Sequence, residues 1–132
     1  MDYLVSIVRP SPLVIHFSFH NANGDAMPAF VPRLIGPLGY FISLEITAEN
    51  GAVVYETFKP KIKLKLHPDR QESYLALESG YTYGSVLTVE DFSPSPGAYR
   101  IALAYSNEGF RGFPGHALGE MRYRTEMAFE VR

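Results

Sequence analysis

The amino-acid sequence predicts an all-β protein, a single antiparallel β-sandwich domain that spans residues 1–132. Three observations lead to this prediction. Several segments alternate apolar and polar residues with the two-residue period of a strand, and turn residues separate them. The nine Tyr and nine Phe are typical of pleated, half-buried strands. No segment keeps the 3.6-residue period of an amphipathic helix.

The composition excludes several classes of function. Without any Cys, the chain forms neither disulfides nor thiolate metal sites, and a reducing compartment is favoured. A formal net charge of −2 gives no general attraction to nucleic acid or anionic lipid. No apolar run approaches about 18 residues, and no basic region precedes the first one, so we expect neither a membrane span nor a signal peptide. The expected location is the cytoplasm.

The clearest predicted strand covers residues 13–20. One face carries Leu13, Ile15, Phe17 and Phe19, and the other carries Val14, His16, Ser18 and His20. Further strands are predicted over residues 3–8, 40–47, 52–58, 59–67 and 122–132. Glu49-Asn50-Gly51 has the residue types of a tight hairpin turn between two of them.

The stretch 75–105 organises the predicted fold. It contains a strand, a crossing rich in Pro and Gly at residues 91–97, and a second strand. Tyr99 follows the crossing, in the position of a tyrosine corner, where its hydroxyl would bond back to the crossing backbone; an ordinary strand tyrosine is the alternative. With seven or eight strands in all, the pattern indicates an immunoglobulin-like sandwich.

Two long segments, residues 21–39 and 106–120, carry Gly and Pro breaks among apolar residues and are predicted to be loops. In a Greek-key order both loops lie at the same end of the sandwich, where such scaffolds bind their partners. The predicted partner-binding residues are Phe30, Arg33, Ile35, Phe110, Arg111, Phe113 and Leu118. The alternative is that the apolar side chains plug the open end of the sandwich.

No catalytic residue, metal site or cofactor is predicted. His16 and His20 share a strand face but lie about 13 Å apart, too far for one metal ion. Residues 21–25 offer oxygen atoms at alternate positions, as calcium loops do, but they lack the distal Glu, so an Asx-type turn is favoured. No nucleophile elbow or phosphate-binding loop occurs.

Lysines at alternate positions form a basic stripe on the predicted strand 59–67, namely Lys59, Lys61, Lys63 and Lys65. Such a stripe protects an edge strand from pairing with other chains, which is the favoured interpretation. The alternative is that it binds an anionic partner.

Residues 51–56, 59–61, 73–80, 89–92 and 96–101 carry a resemblance to a known family. Together they resemble the immunoglobulin-like region that precedes the catalytic domain of deuterolysin-type zinc endopeptidases, over about half of the chain, from Ile42 to Tyr105. Small bacterial intracellular protease inhibitors resemble it in the same pattern of strands and Gly-containing turns. The family's His-Glu-x-x-His zinc motif is absent here, so no catalytic residue is carried over. The resemblance implies a stand-alone sandwich that contacts another protein, such as a peptidase.

The predicted function is therefore a non-catalytic protein-binding module, such as a protease inhibitor or a chaperone-like pro-segment, that acts through loops 21–39 and 106–120. A structural, self-assembling subunit is the alternative. A carbohydrate-binding module is disfavoured because the chain has no Trp, the usual stacking platform for sugars.

Overall fold

The computed structural model describes residues 1–24, 27–57, 67–108, 110–119 and 121–132. These residues form eleven β-strands and one 3-10 turn at Gln71–Ser73, and they contain no helix long and apolar enough to cross a membrane. The strands are β1 (Asp2–Pro10), β2 (Leu13–His20), β3 (Ala29–Pro32), β4 (Ile42–Ala48), β5 (Val53–Glu56), β6 (Tyr74–Leu77), β7 (Thr82–Val89), β8 (Gly97–Ser106), β9 (Gly112–Phe113), β10 (His116–Ala117) and β11 (Arg122–Val131).

Seven strands make up the two larger sheets. One sheet has the order β1-β2-β7 and the other the order β11-β8-β4-β5, and every pair is antiparallel. The four remaining described strands form two short ribbons, β3 with β6 and β9 with β10. The predicted fold class, an all-β antiparallel sandwich, is confirmed.

One hydrophobic core lies between the two sheets. Strands β2 and β7 supply it from one side, and β4 and β8 supply it from the other. Tyr105 of β8 shows how closely the sheets approach, because its ring centroid lies 5.4 Å from that of Phe17 and 5.1 Å from that of Phe19. The sheets therefore share their aromatic side chains and form one packed unit.

Strand β2 has the bounds that its alternation predicts, and its inward side chains are completely buried. Val14 and Ser18 point to the outer face, yet they are buried as well. The reason is topological, since β2 is the central strand of its sheet and neighbours on β1 and β7 flank both side chains.

Two predicted turn features are confirmed. Gly51 has a φ of 86°, and Asn50 Oδ1 accepts a 3.0 Å hydrogen bond from the Ala52 amide, so the hairpin between β4 and β5 has the predicted chemistry. The Tyr99 hydroxyl donates a 2.6 Å hydrogen bond to the Ser95 carbonyl. Tyr99 is therefore a tyrosine corner that joins β8 to the crossing.

The prediction that residues 21–39 and 106–120 are plain loops is wrong in part. The first segment contains β3, whose partner β6 lies more than 40 positions further along the chain, at register Ala29↔Leu77. The second contains the β9–β10 hairpin, at register His116↔Phe113. Strands this short have no detectable alternation, and only their partners define them. For the predicted strand 59–67, residues 59–66 and the lysine stripe lie outside the described residues.

Candidate functional site

The two long loops meet at one end of the sandwich through aromatic side chains. Phe30 of the first loop and Phe113 of the second have ring centroids 5.1 Å apart and nearly perpendicular planes. The His116 ring contacts both, at 4.6 Å from Phe30 and 4.8 Å from Phe113, and Tyr74 of β6 lies 5.6 Å from Phe113. We call these four residues the loop-end cluster. It joins segments that are more than 80 positions apart in the sequence.

Tyr74 fixes the cluster to the scaffold. Its hydroxyl donates a 2.6 Å hydrogen bond to the Pro68 carbonyl and accepts a 3.1 Å hydrogen bond from the Gly112 amide. Burial is the main reason that the pKa of this phenol is raised, so the hydroxyl keeps the proton that it donates. One side chain thereby positions the second loop against β6.

A buried asparagine anchors the start of the first loop. Asn21 has no exposed surface, and its Nδ2 donates a 2.8 Å hydrogen bond to the Leu77 carbonyl. Its Oδ1 accepts a hydrogen bond from the Asn23 amide, which confirms the predicted Asx-type turn. Its backbone amide and carbonyl bond to Tyr81 and Gly80. Asn21 therefore ties the loop to the turn between β6 and β7.

A second buried asparagine closes the base of the second loop. Asn107 donates from Nδ2 to the Gly119 carbonyl at 2.9 Å and accepts at Oδ1 from the Met121 amide at 2.8 Å. Its backbone carbonyl accepts a hydrogen bond from the Phe110 amide. The side chain spans the loop where it leaves β8 and returns to β11, so both ends are held together.

Gly112 sets the path of the second loop. Its φ is 88°, and a Cβ at this position would lie 2.4 Å from the His116 carbonyl oxygen and 2.5 Å from the Leu118 amide nitrogen. Any side chain would therefore force β9 and β10 apart. Gly115, at the turn of the same hairpin, also has a positive φ but faces open space.

Arg33 is held on the surface of the first loop. Its guanidinium donates to two backbone carbonyls, from Nε to Glu72 at 3.0 Å and from Nη2 to Tyr74 at 3.2 Å. Its own carbonyl accepts a hydrogen bond from the Tyr83 hydroxyl. The side chain remains exposed, so a positive charge lies beside the loop-end cluster.

Three of the predicted contact residues contribute to packing. Ile35 is 2% exposed and belongs to the main core, and Leu118 is 7% exposed. Phe110 is half-buried, with its ring centroid 4.5 Å from that of Phe41. These side chains close the end of the sandwich, as the plugging alternative describes, and Ile35 and Leu118 offer almost no surface to a partner.

The remaining predicted residues lie at or near the surface. Arg111 is exposed, and the rings of Phe30 and Phe113 are half-buried. Met27 and Leu34, apolar residues of the first loop, are 74% and 49% exposed. Glu108 is paired with Arg122 at 2.7 Å, which offsets the acidic charge that the second loop contributes. The loops thus present apolar side chains beside the cations Arg33 and Arg111.

Sequence reasoning missed three residues that build this end of the molecule, namely Tyr74, Asn107 and His116, and for Asn21 it predicted only the Asx-type turn. Asn107 had a usable signal, because it lies two positions after a predicted strand and Asn often bonds local backbone at such junctions. Tyr74 and His116 had none, since their partners come from distant segments.

The other candidate chemistry does not assemble into a site within the described part of the chain. The ring of His20 is hydrogen-bonded through Nδ1 to the Thr82 hydroxyl at 2.9 Å. No three described His, Asp or Glu residues lie close enough together to hold a metal ion. A groove of about 220 Å³ on the four-stranded sheet has carboxylates of Glu45 and Glu56 and the Arg124 side chain on its walls. That volume is below the roughly 300 Å³ typical of ligand pockets. Two larger depressions, of about 410 and 340 Å³, are open to solvent and enclose no ligand-sized space.

Comparison with known proteins does not assign the chain to a group. No protein-family model matches it, and no curated protein matches it.

Proposed function

We propose that the chain is a non-catalytic protein-binding module whose contact surface is formed by the exposed residues of loops 21–39 and 106–120. The observation that supports this most strongly is the loop-end cluster. Contacts of Phe30 with Phe113 and His116, together with the Tyr74 hydrogen bonds, combine two distant loops into one braced unit. A braced surface loses little conformational entropy when it binds, which favours affinity.

The chemistry of the surface suits a protein partner. Met27 and Leu34 are exposed apolar side chains, and Arg33 and Arg111 are exposed cations. Apolar anchors bordered by arginines are typical of binding hot spots. The resemblance to peptidase pro-segments and small protease inhibitors makes a peptidase the first partner class to test.

Point substitutions test this better than removal of the second loop, because Leu118 and Phe110 are needed for packing. We expect Leu34→Lys and Arg111→Glu each to weaken partner binding by at least about tenfold without unfolding the protein, since both side chains are exposed. Arg124→Glu, on the outer face of the four-stranded sheet, is the matched control and should bind normally.

The measurement is a calorimetric titration against purified metallo-, serine and cysteine endopeptidases, with peptide hydrolysis as a second readout. Wild-type binding that both loop variants lose supports the proposal. Binding that survives in both loop variants contradicts it. If wild-type protein binds none of the three classes, the assignment to a peptidase partner is wrong.

A further inference from the structure

The outer face of the three-stranded sheet differs in its charge from the outer side of the four-stranded sheet. Thirteen residues of β1, β2 and β7 point outward here. Two of them are histidines, and Asp2 and Arg9 are the only others with an ionisable side chain. The thirteen residues are Asp2, Leu4, Ser6, Val8, Arg9, Val14, His16, Ser18, His20, Thr82, Gly84, Val86 and Thr88. We call this set the outer face. Its apolar members Leu4, Val8 and Val86 are 52%, 61% and 60% exposed.

The outer side of the four-stranded sheet has the opposite character. It carries seven acidic and basic residues, distributed over four strands: Glu45, Glu56, Arg100, Arg122, Arg124, Glu126 and Glu130. Such a surface is well solvated and resists association. Exposed aliphatic side chains on a face with almost no charge are, in contrast, a feature of binding surfaces.

Cross-strand pairing arranges the outer face in rows of three. Leu4, Ser18 and Gly84 form one central row, with one large side chain followed by two small ones. The next row consists of Ser6, His16 and Val86, with one small side chain followed by two large ones. The two rows are complementary in size at every position. Gly84 is the deepest position of the outer face because it has no side chain. A Cβ there would lie 2.5 Å from Ser18 Cβ, so no larger residue fits.

We propose that the outer face binds a second copy of this chain about a two-fold axis that runs between the two central rows, perpendicular to the strands. This rotation stacks each strand antiparallel on its own copy and exchanges the rows. Leu4 then faces Ser6 of the other copy, His16 faces Ser18, and Val86 faces Gly84. Within these two central rows every large side chain meets a small one, as close packing of two sheets requires.

The same axis brings the two charged residues together. Asp2 and Arg9 lie near opposite ends of β1, and neither forms an ion pair within the described part of the chain. When β1 stacks antiparallel on its copy, Asp2 of each chain faces Arg9 of the other. The dimer thereby gains two symmetric ion pairs at its rim. A parallel stacking would place Asp2 over Thr82 and leave both charges unpaired.

The size of the face sets the strength of the dimer. A strand spacing of about 4.8 Å and a rise of about 3.3 Å per residue give a footprint of about 400 Å². Stable interfaces bury about 800 Å² on each partner. The dimer is therefore expected to be weak and reversible, with a dissociation constant in the high micromolar range. This surface is separate from the loops, so the inference does not depend on the proposed function.

Sedimentation equilibrium of the purified protein from micromolar to millimolar concentration tests the inference. We expect the weight-average mass to rise toward that of a dimer. Val86→Glu should weaken association by at least about tenfold, because it places a carboxylate in one of the two central rows, where Val86 packs on Gly84 of the other copy. Val86 is exposed in the monomer, so the variant keeps its fold, which circular dichroism verifies. Ser43→Glu, an exposed position on the other sheet, is the matched control and should associate like the wild type.

A charge exchange tests the two-fold orientation. Asp2→Arg or Arg9→Asp alone places like charges opposite each other and should weaken the dimer by about threefold to tenfold at low salt, whereas the double variant should restore wild-type affinity. A protein that stays monomeric at millimolar concentration, or a dimer that tolerates Val86→Glu, overturns the inference. If the double variant does not recover the wild-type affinity, the proposed antiparallel orientation of the two copies is wrong.

Discussion

At the scale of single residues, Tyr105 places a hydroxyl in the core where no described residue hydrogen-bonds to it. Its ring packs against Phe17, Phe19 and Phe41, and burial raises the pKa of its phenol. A buried hydroxyl without a partner costs about 1 to 3 kcal/mol. The ring therefore stabilises the sandwich while its oxygen opposes that effect.

The first prediction compares two tyrosines. Tyr105→Phe keeps the ring and removes the unpaired oxygen, so we expect the free energy of unfolding to rise by about 1 kcal/mol. Tyr99→Phe removes the 2.6 Å hydrogen bond to Ser95, so we expect a loss of about 1 kcal/mol. Urea unfolding measures both, and a loss of stability in Tyr105→Phe would contradict the prediction.

The second prediction concerns alkaline pH. Burial, with the hydrogen bond to Asp91, raises the pKa of Tyr55 to about 12, above the value of about 10 in an unfolded chain. The folded state therefore holds a proton that the unfolded state releases. The contribution of the Tyr55 proton to the free energy of unfolding is complete below pH 10 and is lost as the pH rises toward 12. Urea midpoints across this range should fall less steeply in Tyr55→Phe, and equal slopes would argue against the assignment.

At the scale of elements, each loop depends on an asparagine at its start. Asn21 and Asn107 each directly follow a long strand; Asn21 bonds to the end of β6 and to the turn of its own loop, whereas Asn107 bonds across the base of its loop. Short strands inside the loops then pair with partners, as β3 does with β6. Both loops are therefore part of the scaffold at their bases and expose only their outer side chains.

The third prediction follows from Asn107. Asn107→Ala leaves the half-buried Met121 amide and the Gly119 carbonyl without their side-chain partner, so we expect a loss of about 2 kcal/mol in unfolding free energy. The Met121 amide should also exchange its hydrogen faster. Asn50→Ala, which removes one exposed hydrogen bond in the β4–β5 hairpin, is the control. Equal losses in the two variants would show that the loop base is not specially stabilised.

At the scale of the whole molecule, the aromatic side chains connect the sheets on more than one side. Tyr3 of β1 stacks on Tyr123 of β11 with ring centroids 4.6 Å apart, where the edges of the two sheets meet. Phe92, in the crossing from β7 to β8, contacts Tyr55 and Tyr99 of the four-stranded sheet. The main core takes buried side chains from both larger sheets, so neither sheet can bury its apolar face without the other.

The fourth prediction is that residues 1–132 unfold as a single cooperative unit. The shared core implies that loss of one sheet exposes the other, so intermediates should not accumulate. Tyrosine fluorescence and far-ultraviolet circular dichroism should report the same urea midpoint. Two separate transitions would indicate that the sheets, or the loop end, unfold independently.

The sequence by itself determined the long strands and the fold class. In β4 and β11, apolar residues alternate with polar ones, and burial follows that alternation because one face of each strand meets the core. The hairpin at Asn50-Gly51 and the corner at Tyr99 were also predictable, since both depend on residues within a few positions of each other. A short stretch of sequence is sufficient to predict an interaction when both partners lie within that stretch.

Only the tertiary structure decided how the loops are built and which side chains they expose. Ile35 and Phe30 look alike in the sequence, yet Ile35 enters the core and Phe30 meets Phe113 near the surface. The complementary rows of the outer face likewise exist only after β1, β2 and β7 align in register. Both outcomes depend on contacts between segments far apart in the chain, which no short sequence window contains.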